Sequence, residues 1–218
     1  MSSYWRGRTE SETEATIEQN VRPGNICYDL GTHFGIYTVG MARKVGPSGR
    51  VFGFEPDPVA FGRCRLHIWM NRLTWVDLRN VAVSDTATDR KLIVDRGPGT
   101  PFSRLPTKDE EAVRPSAGRR KEISVPAVRL DDLVESGDLL PPDFMKVDVE
   151  GHGEQALRGA IKTIRHALPI ILIGFHSSWE QQGVRHLLEP LGYQPFDCKN
   201  NIIDWLSEYA VLHPMKAA

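Results

Sequence analysis

The chain of 218 residues carries 27 basic and 28 acidic side chains, a formal net charge of −1, and 40% hydrophobic residues. This size fits one large domain or two small ones with a substantial core, and the even charge balance gives no surplus of Lys and Arg for general nucleic-acid or anionic-membrane binding. No apolar run approaches the ~20 residues of a spanning helix, so neither nucleic acid nor membrane is expected as a partner.

Cys27, Cys64 and Cys198 are far apart and without CxxC spacing, which fits free thiols in a reducing cytoplasm better than a disulfide frame or a zinc site. The opening MSSYWRGRTESETEA has no apolar core for a secretory signal. One domain over residues 1–218 is expected, with an N-terminal extension at 1–23 and a cytoplasmic location.

Residues 13–20 read as a short helix, broken by Arg22-Pro23-Gly24-Asn25. Three apolar runs follow, at 26–30, 51–54 and 76–83, with helical segments at 36–45 and 59–71 between them. Strands alternating with helices at this spacing predict right-handed crossovers and an α/β fold with a parallel sheet covered on both faces. Residues 97–118 are rich in Pro, Gly and charge and read as a flexible insertion over the sheet edge. This insertion and the N-terminus are the segments expected to shape an acceptor pocket.

Order returns at 123–125 and in a short helix from Leu130. A fourth strand is expected at 144–149. A helix after Gly151 places Leu157, Ala160, Ile161, Ile164 and Leu168 in one stripe. A fifth strand at 170–175 and a helix at 181–191 follow. The tail offers two strand-like runs, 202–206 and 209–212, read as an antiparallel hairpin closing the sheet. Trp69, Trp75, Trp179 and Trp205 are not interleaved with a basic run and read as core or edge packing.

The stretch CYDLGTHFG, residues 27–35, ends a strand in Asp29 and turns through Gly31 and Gly35 into a helix. Such a turn brings backbone N–H groups and a helix N-terminus to the carboxyl edge of the sheet, where open α/β folds bind ligands. The glycines are spaced GxxxG rather than GxGxxG, so a ligand without a pyrophosphate fits better. The second strand ends in Glu55-Pro56-Asp57, and an ionised acid there can accept from both ribose hydroxyls of an adenosine.

The ordered series YDLGTHFGIYT, VFGFEPDP, LRNVAVSD, VRLDDLV and MKVDVEG resembles the FkbM family of S-adenosylmethionine-dependent methyltransferases. The resemblance implies a Rossmann-like class I methyltransferase fold, with a mostly parallel seven-stranded sheet whose last strand is antiparallel. It also implies methylation of a hydroxyl oxygen on a small molecule such as a sugar or natural product.

Carried over, Asp29, Gly31, Thr32, His33, Gly35 and Tyr37 would line the methionine side of S-adenosyl-L-methionine. Glu55, with Pro56 and Asp57, would take the ribose. Ala82, Val83 and Ser84 would lie near the adenine, and Asp148 beside the methyl group. Three departures stand out: His33 where the family usually shows Asn, Gly153 where a second acid is common, and Gly174 where glutamate is frequent.

Methyl transfer to an alcohol needs the acceptor held in line and a base for its proton. Asp148, Glu150 and His176 fall at the carboxyl ends of adjacent predicted strands and form the candidate acceptor site, with Lys146 on the same strand face as Asp148. His176 or Asp148 is the candidate base. The trio has oxygen and nitrogen ligands of the kind a divalent ion takes, but no spacing fixes their geometry and no metal is assigned.

The plainer readings are a Glu150 that favours the next helix through its dipole, a His176 that is a polar strand end, and a Lys146 that pairs with a carboxylate. Two other functions stay open at this level: a nicotinamide-dependent oxidoreductase, and a methyltransferase-fold binding protein without turnover.

Overall fold

The computed structural model describes residues 8–97, 100–105 and 120–215. In chain order the elements begin α1 (Arg8–Asn20), β1 (Ile26–Leu30), α2 (Ile36–Val45), β2 (Arg50–Phe54), α3 (Pro58–Met70), β3 (Val76–Arg79) and β4 (Ala82–Val83). There follow β5 (Arg90–Gly97), β6 (Thr100–Arg104), β7 (Arg120–Val125), β8 (Ala127–Val128) and α4 (Leu130–Glu135). The chain continues with β9 (Phe144–Val147), α5 (Gly153–Arg158), α6 (Ile161–Ala167), β10 (Ile170–Gly174), α7 (Ser178–Leu188), β11 (Tyr193–Phe196) and β12 (Tyr209–Pro214).

Seven strands form one sheet in the order β11-β12-β10-β9-β1-β2-β3. All neighbours are parallel except β12, which runs antiparallel to both β10 and β11. The order in which the chain adds strands reverses between the parallel neighbours β1 and β9, which opens a crevice above their carboxyl ends.

Alternation along the strands divides the core in two. Tyr28, Leu30, Met145, Val147, Ile171 and Ile173 face a cluster completed by Ala156, Leu157, Ile164, Val184 and Leu188. Cys27, Phe144 and Leu172 face the other way, onto Met41, Ala42 and Val45 of α2 and Ile17 of α1. The N-terminal helix is thus part of the core, with Ile17 and Val21 buried. Asp29 and Lys146, partners in the β1–β9 register, point to this second side.

Two strands form where none was expected, for a shared reason. The hairpin partner of β12 is Tyr193–Phe196, not residues 202–206, where Ile202 makes only a single bridge to Phe196. Residues 204–206 turn instead, with the Asp204 carboxylate accepting from Leu206 N–H, and Trp205 is driven into the core from that turn. Within the segment read as a flexible insertion, Thr100–Arg104 is a strand paired with β5, which also pairs with β7 to make a three-stranded antiparallel sheet. Residues 106–118 of that insertion lie outside the described residues. Both β6 and β11 are edge strands and contain a proline, Pro101 and Pro195, which a central strand would exclude and an edge accommodates.

Other differences are smaller. The run 76–83 splits into β3 and β4, and β4 pairs with β8 away from the main sheet. The single helix expected after Gly151 is two, because buried Asp131 of α4 accepts from the N–H groups of Lys162 and Thr163 and caps α6 from outside. Leu168, expected on the apolar stripe, ends α6 in a left-handed conformation and is exposed. All three cysteines are free thiols. Among the described residues no helix is long and apolar enough to cross a membrane.

Candidate active site

An open cleft of about 710 Å³, mouth included, lies over the carboxyl ends of β1, β2 and β9. One side is formed by Gly31, His33, Phe54, Glu55 and Pro56; the floor by Val81, Ala82 and Val83; the opposite side by Asp148, Val149, Glu150 and His152. Leu92, Ser103, Arg104 and Leu105 of the small sheet supply the remaining wall.

The turn between β1 and α2 is shaped by conformation and by close approach. Gly31 has φ +82°, and a Cβ placed there would stand 2.0 Å from the Asp148 carbonyl oxygen. Gly35 has φ +87° and would bring a Cβ to 2.5 Å from the Cys64 sulfur of α3, so the expected close helix packing is made against α3. His33 sits at φ 50°, a left-handed conformation that Asn, Asp and His tolerate best among residues with a Cβ. That shared tolerance gives a physical reason for His at a position where the FkbM resemblance leads one to expect Asn.

Glu55 is buried, with one carboxylate oxygen accepting from His33 N–H at 2.7 Å and the other from Asp57 N–H at 2.9 Å. Burial raises its pKa to about 7 against the pull of those two N–H groups. Each oxygen keeps a further lone pair for a ligand. Asp57, expected at the ribose, instead caps α3 by accepting from Val59 N–H at 2.8 Å and is itself buried.

Asp29 is fully buried and does not line the cleft, contrary to expectation. It accepts from the Thr38 hydroxyl at 2.6 Å and from Lys146 Nζ at 3.2 Å. Lys146, expected in the acceptor site on the same strand face as Asp148, is likewise buried, 3.8 Å from Asp148 and 5.3 Å from the Tyr37 ring centre. Burial pulls its pKa down, but Asp29 and Asp148 outweigh that and raise it. Lys146 thus links Asp148 to Asp29 and to the Gly31 carbonyl of the β1–α2 turn.

At the other end Asp148, Glu150 and His176 do converge. His176 Nε2 stands 3.5 Å from Asp148 Oδ1 and 3.5 Å from Glu150 Oε2, with its Nδ1 3.8 Å from Glu180. One ligand atom from each of Asp148, Glu150 and His176 can be chosen within 4.8 Å of the others, close enough to share an ion. Among the described residues Asp148 Oδ1 is buried and accepts no hydrogen bond. Glu150 is held at φ 51°, an uncommon conformation for a residue with a Cβ. Burial pulls the His176 pKa down, but Glu180, Glu150 and Asp148 prevail and push it up to about 9. Burial raises that of Glu150.

Glu180 is the residue that sequence reasoning missed. Fully buried at the start of α7, it accepts from Gly153 N–H at 2.7 Å and His176 N–H at 2.8 Å. It thereby satisfies the α5 N-terminus in place of Glu150, and a Cβ at Gly153 would lie 2.6 Å from its Oε1. The acid expected at 153 is thus replaced by one arriving from another helix. At Gly174 the space is filled by Tyr209, whose ring atom would stand 3.0 Å from an added Cβ. His152 and Ser84, 3.0 Å apart, were also unmarked as a pair; burial and Arg90 lower the His152 pKa to about 4, which leaves it neutral at pH 7. Ala82 and Val83 line the cleft, while Ser84, Thr32 and Gly35 are buried.

The strand order and the terminal antiparallel pair define a class I methyltransferase fold. The description of the matching family model is methyltransferase FkbM domain, it covers residues 29–209, and the chain belongs to that family. Among curated proteins it is 23% identical over 191 residues to the hexuronic acid methyltransferase AglP of Haloferax volcanii, covering 86% of this chain and 72% of that one. Among solved structures it resembles the methyltransferase FkbM of Methylobacillus flagellatus, at 17% identity and a TM-score of 0.56. That match spans 90% of this chain but only about half, 49%, of the other. A second likeness is to SMU.1697c of Streptococcus mutans, solved in complex with SAH, at 10% identity and a TM-score of 0.54 over 95% and 98% of the two chains.

Proposed function

We propose that this chain is an S-adenosylmethionine-dependent O-methyltransferase acting on a hydroxyl of a small sugar-like acceptor. The observation that carries the reading is the pairing, across one cleft, of the buried Glu55 carboxylate with the Asp148 carboxylate, separated by a Gly31 turn with no room for a side chain. An adenosyl donor fits these residues. Glu55 has lone pairs left for ribose hydroxyls, Val81, Ala82, Val83, Leu92 and Leu105 form an apolar seat for a base, and Asp148 and Glu150 suit a cation. Such a donor supplies a methyl group already activated by its sulfonium.

What the protein contributes is position and a proton acceptor. His176, charged below about pH 9, bridges Asp148 and Glu150 and fixes their orientation. The base for the acceptor hydroxyl is Asp148, which lines the cleft and whose carboxylate is held between Lys146 and His176. The sugar class is drawn from the hexuronic acid methyltransferase, the curated relative named above. The methyltransferase family displaces the nicotinamide reading, and Glu180 and Tyr209 at the two glycine positions give no support to a site stripped of function.

The test is calorimetric titration with S-adenosylhomocysteine of wild type and Glu55→Ala, followed by transfer of labelled methyl to a panel of sugars and uronic acids. Saturable binding that the variant loses, with label in an alkali-stable ether, supports the reading. Absence of binding to the folded wild type, or label recovered only in esters, sinks it.

A further inference from the structure

The near-zero net charge conceals an asymmetry at α3. Between Asp57 and Asp77 there is no acid, while Arg63, Arg65 and Arg72 all lie in that stretch. On the helix surface the asymmetry meets a second one. Trp69 is 74% exposed, Met70 64%, Leu66 50% and Val59 47%. The expectation that Trp69 packs in the core or at an edge is therefore wrong. At 3.6 residues per turn these four side chains fall within about 100° of arc, with Arg65 on one flank and Arg63 on the other.

The inward side of the same helix carries Ala60 and Cys64, so α3 is anchored by small residues and presents its large apolar ones to solvent. Arg63 and Arg65 lie over the rings of Phe34 and Phe61, at 4.8 and 5.9 Å. Their charges are held along the ridge. On the neighbouring α2, Ile36 is 63% exposed, and His67 is joined to the Phe34 carbonyl at 2.7 Å.

We propose that this face is a peripheral docking surface for a bilayer carrying anionic lipids, with Leu66, Trp69 and Met70 entering the headgroup boundary and Arg63 and Arg65 meeting lipid phosphates. An apolar ridge flanked by arginines, with an indole at its margin, joins apolar insertion to phosphate contacts, the two interactions a bilayer surface offers. A convex ridge gives a peptide no groove. A second copy packed α3 against α3 would present Arg63 and Arg65 to a stretch, 58–76, that has no acid to receive them. The surface is independent of which acceptor the cleft takes.

The experiment is co-sedimentation of the full chain with phosphatidylcholine vesicles, with and without roughly 30% phosphatidylglycerol, at ~0.1 M salt. Binding is expected only with the anionic lipid, and weakened by added salt. Arg63→Ala with Arg65→Ala should weaken it roughly 30-fold, since each basic group near such a surface is worth about fivefold. Trp69→Ser with Met70→Ser should abolish it, with the melting temperature and S-adenosylhomocysteine affinity of both variants unchanged. Equal binding to neutral vesicles, no binding to either, or insensitivity to both double variants overturns the proposal. So does self-association, or capture of an acidic protein, through this face without vesicle binding.

Discussion

Glu55→Gln separates the cost of the buried carboxylate from its use. In the folded protein Glu55 titrates near 7, against 4.5 when unhindered. The folded state therefore holds the proton more tightly. Glu55's contribution to stability is fully present below pH 4.5 and is lost as pH rises through 7, a change of about 3 kcal/mol at ~1.4 kcal/mol per unit. Glutamine has no such titration. It keeps one acceptor for the N–H groups of His33 and Asp57 but turns an NH₂ toward the other, at a cost of about 1–3 kcal/mol independent of pH.

Unfolding free energy from urea titrations, measured from pH 4.5 to 8 for both proteins, should give a difference curve that moves by about 3 kcal/mol in the variant's favour. Taking the difference removes the groups common to both, including His176, whose value near 9 adds stability below its ordinary 6.5 that is lost as pH rises through 9. Binding should show the opposite sign. A ribose needs the ionised acid, so wild-type affinity for S-adenosylhomocysteine should be about tenfold weaker at pH 6 than at pH 8. The variant should be weak and flat across that range. Parallel stability curves for the two proteins would refute the assignment of this titration to Glu55.

Lys146→Met should destabilise the protein by about 3–5 kcal/mol in chemical denaturation, because Asp29 and Asp148 both lose their ammonium partner inside the fold. Gly31→Ala should leave a folded protein with turnover reduced about 100-fold, since its Cβ has to displace the Asp148 carbonyl; wild-type kinetics would show that the turn can relax. Asp148→Asn should reduce methyl transfer by about 10²–10⁴ with S-adenosylhomocysteine affinity largely kept. His176→Gln should cost less and remove the alkaline limb of the rate profile near pH 9, whereas a wild-type rate that climbs through pH 9 would transfer the base role to His176.

The central strands were legible because strands buried on both faces read as continuous apolar runs, and their terminal acids mark the carboxyl edge. What escaped was set by the edges and by distance along the chain. Proline argued against Thr100–Arg104 and Tyr193–Phe196, while apolar residues 202–206 looked like a strand and are a turn carrying Trp205 inward. At the site, Asp148, Glu150 and His176 were brought together as expected. Lys146 was read as a possible partner of a neighbouring carboxylate, but neither Asp29 as that partner nor the burial of the pair was foreseen, because a sequence gives the face of a side chain and not its depth. Glu180 gave one signal, an acid three residues after Ser177 at capping-box spacing, of which only the Ser177 half is made, its hydroxyl accepting from Glu180 N–H. Its bonds to His176 and Gly153 depend on a packing of α7 against α5 that no local pattern encodes.

The two walls of the cleft have separate origins in the chain. Gly31, Glu55 and Asp148 follow strands whose spacing is fixed by the main sheet, whereas Leu92, Ser103, Arg104 and Leu105 lie on or beside a three-stranded sheet separate from it. Substitution or lengthening between β4 and β8 can therefore recast one wall while the Asp29–Lys146–Asp148 constellation stays as it is. The cleft is a socket held by the main sheet with a faceplate encoded in one contiguous stretch of the chain, so what it accepts can be re-engineered there alone.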